Sequence, residues 1–66
     1  MDETKLTKAQ EDIVRTLKRA GMIDFDGRRA RALRILERAD VIRHHAVGYT
    51  LTDKGRRIAE KLASSN

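Results

Sequence analysis

The segment Arg28–Arg38, with the sequence RRARALRILER, constrains the fold of this chain more than any other stretch. At about 100° per residue, it predicts a helix with an apolar face on one side and cations on another. The apolar face comprises Ala32, Leu33, Ile35, Leu36 and Ala39; the cationic face comprises Arg31, Arg34 and Arg38, with Ala30 and Glu37 beside them. We therefore expect the first face to pack in the core and the second to be exposed.

Positive charge is concentrated around this segment. Residues 28–45 contain six arginines and two acids, a net charge of +4, whereas the whole chain carries +5. Arg28 and Arg29 lie in the predicted first turn, where cations oppose the helix macrodipole, so helix stability does not explain them. Binding to a phosphate backbone would explain these two arginines, because each cation that neutralises a phosphate releases condensed counterions. An arginine-rich face of an arbitrary helix is more often simply solvated, but the local charge favours an acidic polymer as partner.

Size and composition exclude several classes of protein. The 66 residues form one domain, residues 1–66, close to the lower size limit for folding without disulfides, and the chain has no cysteine. Phe25 and Tyr49 are the only aromatic residues, which argues against a binder that stacks single-stranded bases. No apolar run has transmembrane length and no signal peptide is evident, so we expect no membrane partner and a cytoplasmic location.

Capping residues and periodicity predict the helix before the arginine segment. Thr7 and Gln10 have the spacing of a capping box, and Gly21 ends this helix, with Met22 placed to contact Leu17 in a Schellman motif. The predicted buried positions are Leu6, Ile13, Val14, Leu17 and Ala20.

The connection to the arginine helix, residues 22–27, is too short for a full helix. Ile23 and Phe25 alternate with Asp24 and Asp26, which permits a brief extended segment. We expect Phe25 to be a core residue at the turn of the chain, and either aspartate to cap the arginine helix.

Residues 41–51 predict an antiparallel hairpin, and a last helix follows it. A four-residue loop, residues 45–48, sets His44 opposite Tyr49, and Gly48 can adopt a positive φ. The same register sets Ile42 opposite Leu51. Thr52 caps the last helix, whose apolar positions are Ile58, Ala59, Leu62 and Ala63. The fold class is therefore mainly α with a small β-hairpin (α+β), and residues 1–5 and 64–66 are expected to be disordered.

The order helix, short segment, basic helix, hairpin, helix resembles the winged helix-turn-helix family of DNA-binding proteins, particularly small archaeal, bacterial and phage regulators of the MarR and PadR kind. Residues 6–17, LTKAQEDIVRTL, are similar to the first helix of the family. Residues 32–42, ALRILERADVI, are similar to the end of its recognition helix and the first wing strand. Residues 48–60, GYTLTDKGRRIAE, carry the most specific likeness, to the second wing strand and the closing helix.

The resemblance implies a transcriptional regulator that binds double-stranded DNA, sequence-specifically or semi-specifically. Residues 28–38 would lie in the major groove and the wing, residues 43–49, on the backbone or minor groove. The implied DNA-binding residues are Arg28, Arg29, Ala30, Arg31, Arg34, Arg38, Arg43 and His45. A unit of this size covers a small half-site, so specificity would favour a homodimer on a near-palindromic site.

One departure from the family concerns the helix that normally precedes the recognition helix. Residues 22–27 cannot supply it. Either a turn replaces that helix, or residues 7–20 take its place and the usual first helix is absent. The likeness of residues 6–17 to the first helix favours the turn.

Other classes of function find less support. The chain has no cysteine nucleophile, glycine-rich phosphate loop or metal-spaced carboxylate cluster, so we expect neither catalysis nor a cofactor, and no small-molecule ligand is evident. His44 and His45 are adjacent, so on a strand they point to opposite faces and cannot easily share a metal. The alternative function is a winged-helix docking module for an acidic protein partner. Double-stranded RNA binding ranks third.

Overall fold

Helices and a hairpin follow one another along the chain in the predicted order. The computed structural model describes residues 6–64. Helix α1 spans Lys8–Ala20, a 3-10 turn spans Gly27–Arg29, helix α2 spans Ala30–Arg38, strands β1 and β2 span Ile42–His45 and Gly48–Leu51, and helix α3 spans Asp53–Ser64. The chain is thus mainly helical with a two-stranded antiparallel hairpin, which confirms the predicted fold class.

The predicted disorder at the chain ends is wrong for Ser64. This residue ends α3, and its hydroxyl donates to the Glu60 carbonyl oxygen at 2.8 Å, so the helix continues one residue further than expected. The rest of that prediction, at residues 1–5 and 65–66, lies outside the described residues.

Helix α1 begins with the predicted capping box. The Gln10 amide donates to the Thr7 hydroxyl and the Thr7 amide donates to the Gln10 side-chain oxygen, both at 3.2 Å. The side chains of Ile13, Val14 and Leu17 are buried, as predicted. Ala20 is exposed instead, because α1 ends there and its last turn borders an open groove.

The segment after α1 is extended, and it pairs with the hairpin through one residue. The Tyr49 amide donates to the Ile23 carbonyl at 2.8 Å and the Ile23 amide donates to the Tyr49 carbonyl at 3.1 Å. The expectation that Phe25 fills the core is wrong, since its side chain is 59% exposed. The bridge to the hairpin is made by Ile23, and by Phe25 the chain has left this pairing.

The Schellman motif expected at Gly21 occurs at the end of α2. Here the Val41 amide donates to the Leu36 carbonyl at 2.9 Å and the Asp40 amide donates to the Glu37 carbonyl at 3.0 Å. Asp40 has a φ of 65°, the left-handed conformation that this motif requires. Val41 and Leu36 are both buried, so the motif directs the chain from the helix through the core into β1. At Gly21, which has a φ of 87°, the amide donates to the Leu17 carbonyl at 2.7 Å, and Met22 is 42% exposed.

The hairpin has the predicted register and a shorter loop. His44 lies opposite Tyr49 and Ile42 opposite Leu51, but His45 pairs with Gly48, so the turn contains two residues rather than four. Gly48 has a φ of 155°, and a Cβ on it would lie 2.5 Å from the Ile23 carbonyl oxygen. Glycine is therefore required where the segment after α1 approaches β2.

Thr52 and Lys54 hold the start of α3 against the end of α2. The Thr52 hydroxyl lies 2.5 Å from the Asp40 carbonyl oxygen and accepts from the Gly55 amide at 3.0 Å, which caps α3 as predicted. The Lys54 ammonium donates to the Ala39 carbonyl at 3.0 Å. Carbonyl oxygens at a helix C-terminus lack partners within the helix. Thr52 and Lys54 supply donors to two carbonyl oxygens at the end of α2.

We expect Thr52→Val, which keeps the shape of the side chain, to lower the free energy of unfolding by about 1 to 2 kcal/mol. The variant loses both the cap on α3 and the hydrogen bond to the end of α2. Urea unfolding followed by circular dichroism measures the change. Thr50→Val is the control, because its hydroxyl bond to His45 is exposed and lies outside this junction. Equal effects of the two substitutions would contradict a special role for Thr52.

The core lies between α1, α2, the hairpin and α3. It contains Ile13, Val14, Leu17, Leu33, Leu36, Val41, Ile42, Tyr49, Ile58 and Ala59, with Leu6, Ile23, Ala32, Leu51 and Leu62 packed against it. Ala63 is exposed at the end of α3. The prediction that Ile35 and Ala39 share the buried face of α2 is wrong. Both are exposed, because the core covers only the narrower side of α2 that carries Leu33 and Leu36.

Candidate nucleic-acid interface

Asp26 begins the basic helical segment. Its side-chain oxygen accepts from the Arg28 amide at 3.0 Å, and the 3-10 turn Gly27–Arg29 leads directly into α2. The first turn therefore has 3-10 rather than α geometry, but it places Arg28 and Arg29 at the start of the helix, as predicted. The Arg29 guanidinium lies 4.0 Å from the other Asp26 oxygen, and both side chains are nearly half exposed. Such a pair contributes little stability, so Arg29 remains available to a ligand.

The outer face of α2 carries three arginines that we call the arginine strip: Arg31, Arg34 and Arg38. The buried side chains of Leu33 and Leu36 define the opposite, inner face of the helix. All three arginines are exposed, and within residues 6–64 none of them has an ion pair or a side-chain hydrogen bond. Helix α3 packs mainly against α1 and β2, and its start meets the C-terminal end of α2 through Lys54 and Ala39. The strip therefore presents guanidinium groups to solvent from a helix whose other side is anchored.

The predicted residues beside the strip occupy different positions. Arg28 is exposed, like Arg29, whereas Ala30 is partly buried and lies at the flank of the helix. Ala30 therefore offers a small side chain beside the strip and no group that binds a ligand strongly.

Arg43 and His45 lie on one face of the hairpin. Alternation along β1 puts them opposite the face that carries Ile42, and both are exposed. His45 Nε2 is 2.8 Å from the Thr50 hydroxyl oxygen across the strands. His44, on the other face, stacks on Tyr49 with ring centroids 4.4 Å apart and planes 14° apart. The predicted pairing of His44 with Tyr49 is thus accompanied by a ring contact, although His44 remains exposed.

His45 lines an open groove that the sequence did not reveal. The groove lies between the end of α1, the hairpin and α3, and its charged lining residues are Lys18, His45, Arg56 and Glu60. No arginine of α2 lines it. The structure thus brings Arg31, Arg34 and Arg38 together on one helix face, and groups His45 with Lys18 and Arg56. No sequence signal links these three residues, because they lie on separate elements that only the tertiary fold brings together.

Within residues 6–64, no group of three or more His, Cys, Asp or Glu side chains is arranged to hold a metal ion. In the same part of the chain, no helix combines the length and apolar character needed to cross a membrane.

No family model, curated protein or solved structure matches this chain. The arrangement of its own side chains is therefore the basis for assigning a function.

Proposed function

We propose that this protein binds double-stranded DNA, with the outer face of α2 in the major groove and residues 43–49 against the backbone or minor groove. The observation that carries the proposal is the arginine strip, whose three guanidinium groups have no carboxylate partner within residues 6–64. Unpaired like charges on one helix face repel each other, and a polyanion relieves that repulsion.

The dimensions and donors of the strip suit the major groove. An α-helix with its side chains is about 10 to 12 Å across, and the major groove of B-DNA is about 12 Å wide. Arginine presents a planar fork of donors that can bind guanine O6 and N7, or one phosphate, through two hydrogen bonds. Ten of the fifteen cations in the chain are arginine, including every cation of residues 28–45. This choice favours recognition over simple charge attraction.

The first turn and the hairpin carry further exposed side chains that can bind phosphate. Arg28 and Arg29 are exposed at the N-terminal end of the basic helix, and their backbone amides are already hydrogen-bonded to Asp26. Arg43 and His45 offer further donors on the hairpin. In this proposal they contact phosphates and set the orientation of α2 on the duplex, as backbone contacts generally do.

The arrangement supports assignment to the winged helix-turn-helix class, with the hairpin as the wing. The segment between α1 and α2 is extended at Ile23 and has a single 3-10 turn at Gly27–Arg29. This favours a turn in place of the family's second helix. We propose a cytoplasmic transcriptional regulator, associated with the nucleoid if its source is a prokaryote, that acts as a homodimer on two half-sites.

We expect DNA binding to weaken steeply with salt. If five or six phosphates are neutralised, the slope of log affinity against log salt concentration is about −5 on duplex DNA. Fluorescence anisotropy of a labelled duplex at several potassium chloride concentrations measures this slope. A slope close to zero would contradict a cationic interface.

Gel retardation with a pool of random duplexes tests the proposal directly. We expect retardation at low salt, and selection of the bound duplexes is expected to enrich a short motif, repeated as a near-palindrome if the protein binds as a dimer. Absence of retardation at low salt would overturn DNA binding and favour docking to an acidic protein. Equal retardation of duplex RNA of matched length would contradict selectivity for DNA.

A further inference from the structure

Ile35 is an exposed apolar side chain on a charged helix face. It is 45% exposed, although isoleucine is one of the residues most often buried in proteins. Leu33 and Leu36 are the buried side chains that anchor α2 in the core, so Ile35 is not needed for this purpose. Ile35 is one of four large apolar side chains that are exposed, with Met22, Phe25 and Val47, and the one that lies on α2.

The position of Ile35 around the helix places it among the arginines. At about 100° per residue, Ile35 lies about 40° from Arg31 and about 60° from Arg38. These residues are also one turn before and one turn after it along the axis. Around the helix axis, the Ile35 side chain is about 130° from the centre of the buried face that Leu33 and Leu36 define. Ile35 thus lies between the arginines of the outer face and Ala32, which packs against the core.

A partner that fits this surface is anionic overall and has a small apolar spot within reach of a helix. The charge of the arginine strip excludes a plain hydrophobic surface, because burying three unpaired guanidinium groups against it would be very costly. In the DNA major groove, thymine presents a 5-methyl group among phosphates and polar base edges, and apolar side chains contact it. Uracil in RNA lacks this methyl group.

We infer that Ile35 is a specificity-determining residue that packs against the 5-methyl group of a thymine in the bound site. The inference rests on the proposed binding of α2 in the major groove and extends it, because it assigns the base that the apolar part of the surface reads. Arg31 and Arg38 bind neighbouring phosphates or guanines independently of this contact. The same contact selects DNA over RNA, since duplex RNA offers no methyl group and has a major groove too deep and narrow for a helix.

The test replaces each thymine of a selected duplex, one at a time, by deoxyuridine, which removes only the methyl group. We expect the wild-type protein to lose about fourfold in affinity at one thymine per half-site, the effect of one buried methyl group. With Ile35→Ala, the same replacement is expected to change affinity by less than about twofold, because the contact is already absent. Fluorescence anisotropy at constant salt measures the four dissociation constants, those of the wild type and of Ile35→Ala on the thymine and deoxyuridine duplexes.

Arg31→Ala is the matched control on the same face. It is expected to weaken binding to the thymine and deoxyuridine duplexes while keeping the roughly fourfold difference between them. If Ile35→Ala also keeps that difference, or if no thymine replacement affects the wild type, the inference is overturned while DNA binding stands. If the wild type retards no duplex at all, both the inference and the proposed function fail. Circular dichroism of Ile35→Ala checks that α2 is intact.

Discussion

Gly55→Ala is expected to leave a large fraction of the protein unfolded. Gly55 is buried in the first turn of α3, and a Cβ there would overlap the Val41 carbonyl oxygen and lie 3.0 Å from Leu51 Cδ2. The Val41 carbonyl cannot move away freely, because it accepts from the Thr52 amide at 3.0 Å. We expect a loss of about 3 kcal/mol or more, the upper part of the range for overpacked cores. A domain of this size has only about 3 to 5 kcal/mol in total.

The matched control for this variant is Gly27→Ala. A Cβ on Gly27 meets no atom within 4 Å, so this alanine is expected to be neutral or slightly stabilising. Thermal unfolding followed by circular dichroism compares the two variants with the wild type. A Gly55→Ala protein that melts at the wild-type temperature would show that α3 does not pack this closely on the start of β1.

The double substitution Arg31→Ala with Arg34→Ala is expected to have the largest effect on DNA binding. Each arginine that binds a base contributes about 1 to 3 kcal/mol, so the pair should weaken binding to a selected duplex by at least tenfold. Both side chains are exposed and make no ion pair within residues 6–64, so the fold should tolerate their removal. Titration of a selected and a random duplex separates the two possible roles. A loss confined to the selected duplex indicates base contacts, and an equal loss on both indicates phosphate contacts.

A control with the same change in net charge is Arg15→Ala with Arg57→Ala. These arginines are exposed on α1 and α3, away from the proposed interface. We expect this variant to lose a small part of its affinity through long-range charge alone, and less at high salt. If the control weakens binding as much as the strip variant does, the assignment of the outer face of α2 is wrong.

Several features of the fold could be predicted because they depend on neighbours in sequence. The capping box of Thr7 and Gln10 and the end of α1 at Gly21 each involve residues within one helical turn. The register of His44 with Tyr49 follows from strand alternation and the position of Gly48. The exposed arginine strip of the candidate site was also predictable, because three long cations at helical spacing cannot be buried without partners. These patterns are local, and tertiary packing preserved them.

Other features of the candidate site needed the tertiary structure. Sequence periodicity treated Ile35 as a core residue, but the core covers only one side of α2, and apolar character alone cannot show how wide that side is. The grouping of His45 with Lys18 and Arg56 joins three elements that are distant in sequence. Neither feature could be predicted from composition or spacing.

The sequence by itself determined the elements of this protein, their order and the cationic face of α2, because helix caps, strand alternation and side-chain charge act over a few residues. Only the tertiary structure decided that Phe25 is exposed, that Asp40 takes the left-handed position at the end of α2, and that Gly55 admits no side chain. The Asp40 conformation belongs to a local motif whose place in the chain periodicity did not show, whereas the outcomes at Phe25 and Gly55 depend on which distant segments meet. Close packing makes such contacts sensitive to a single carbon atom.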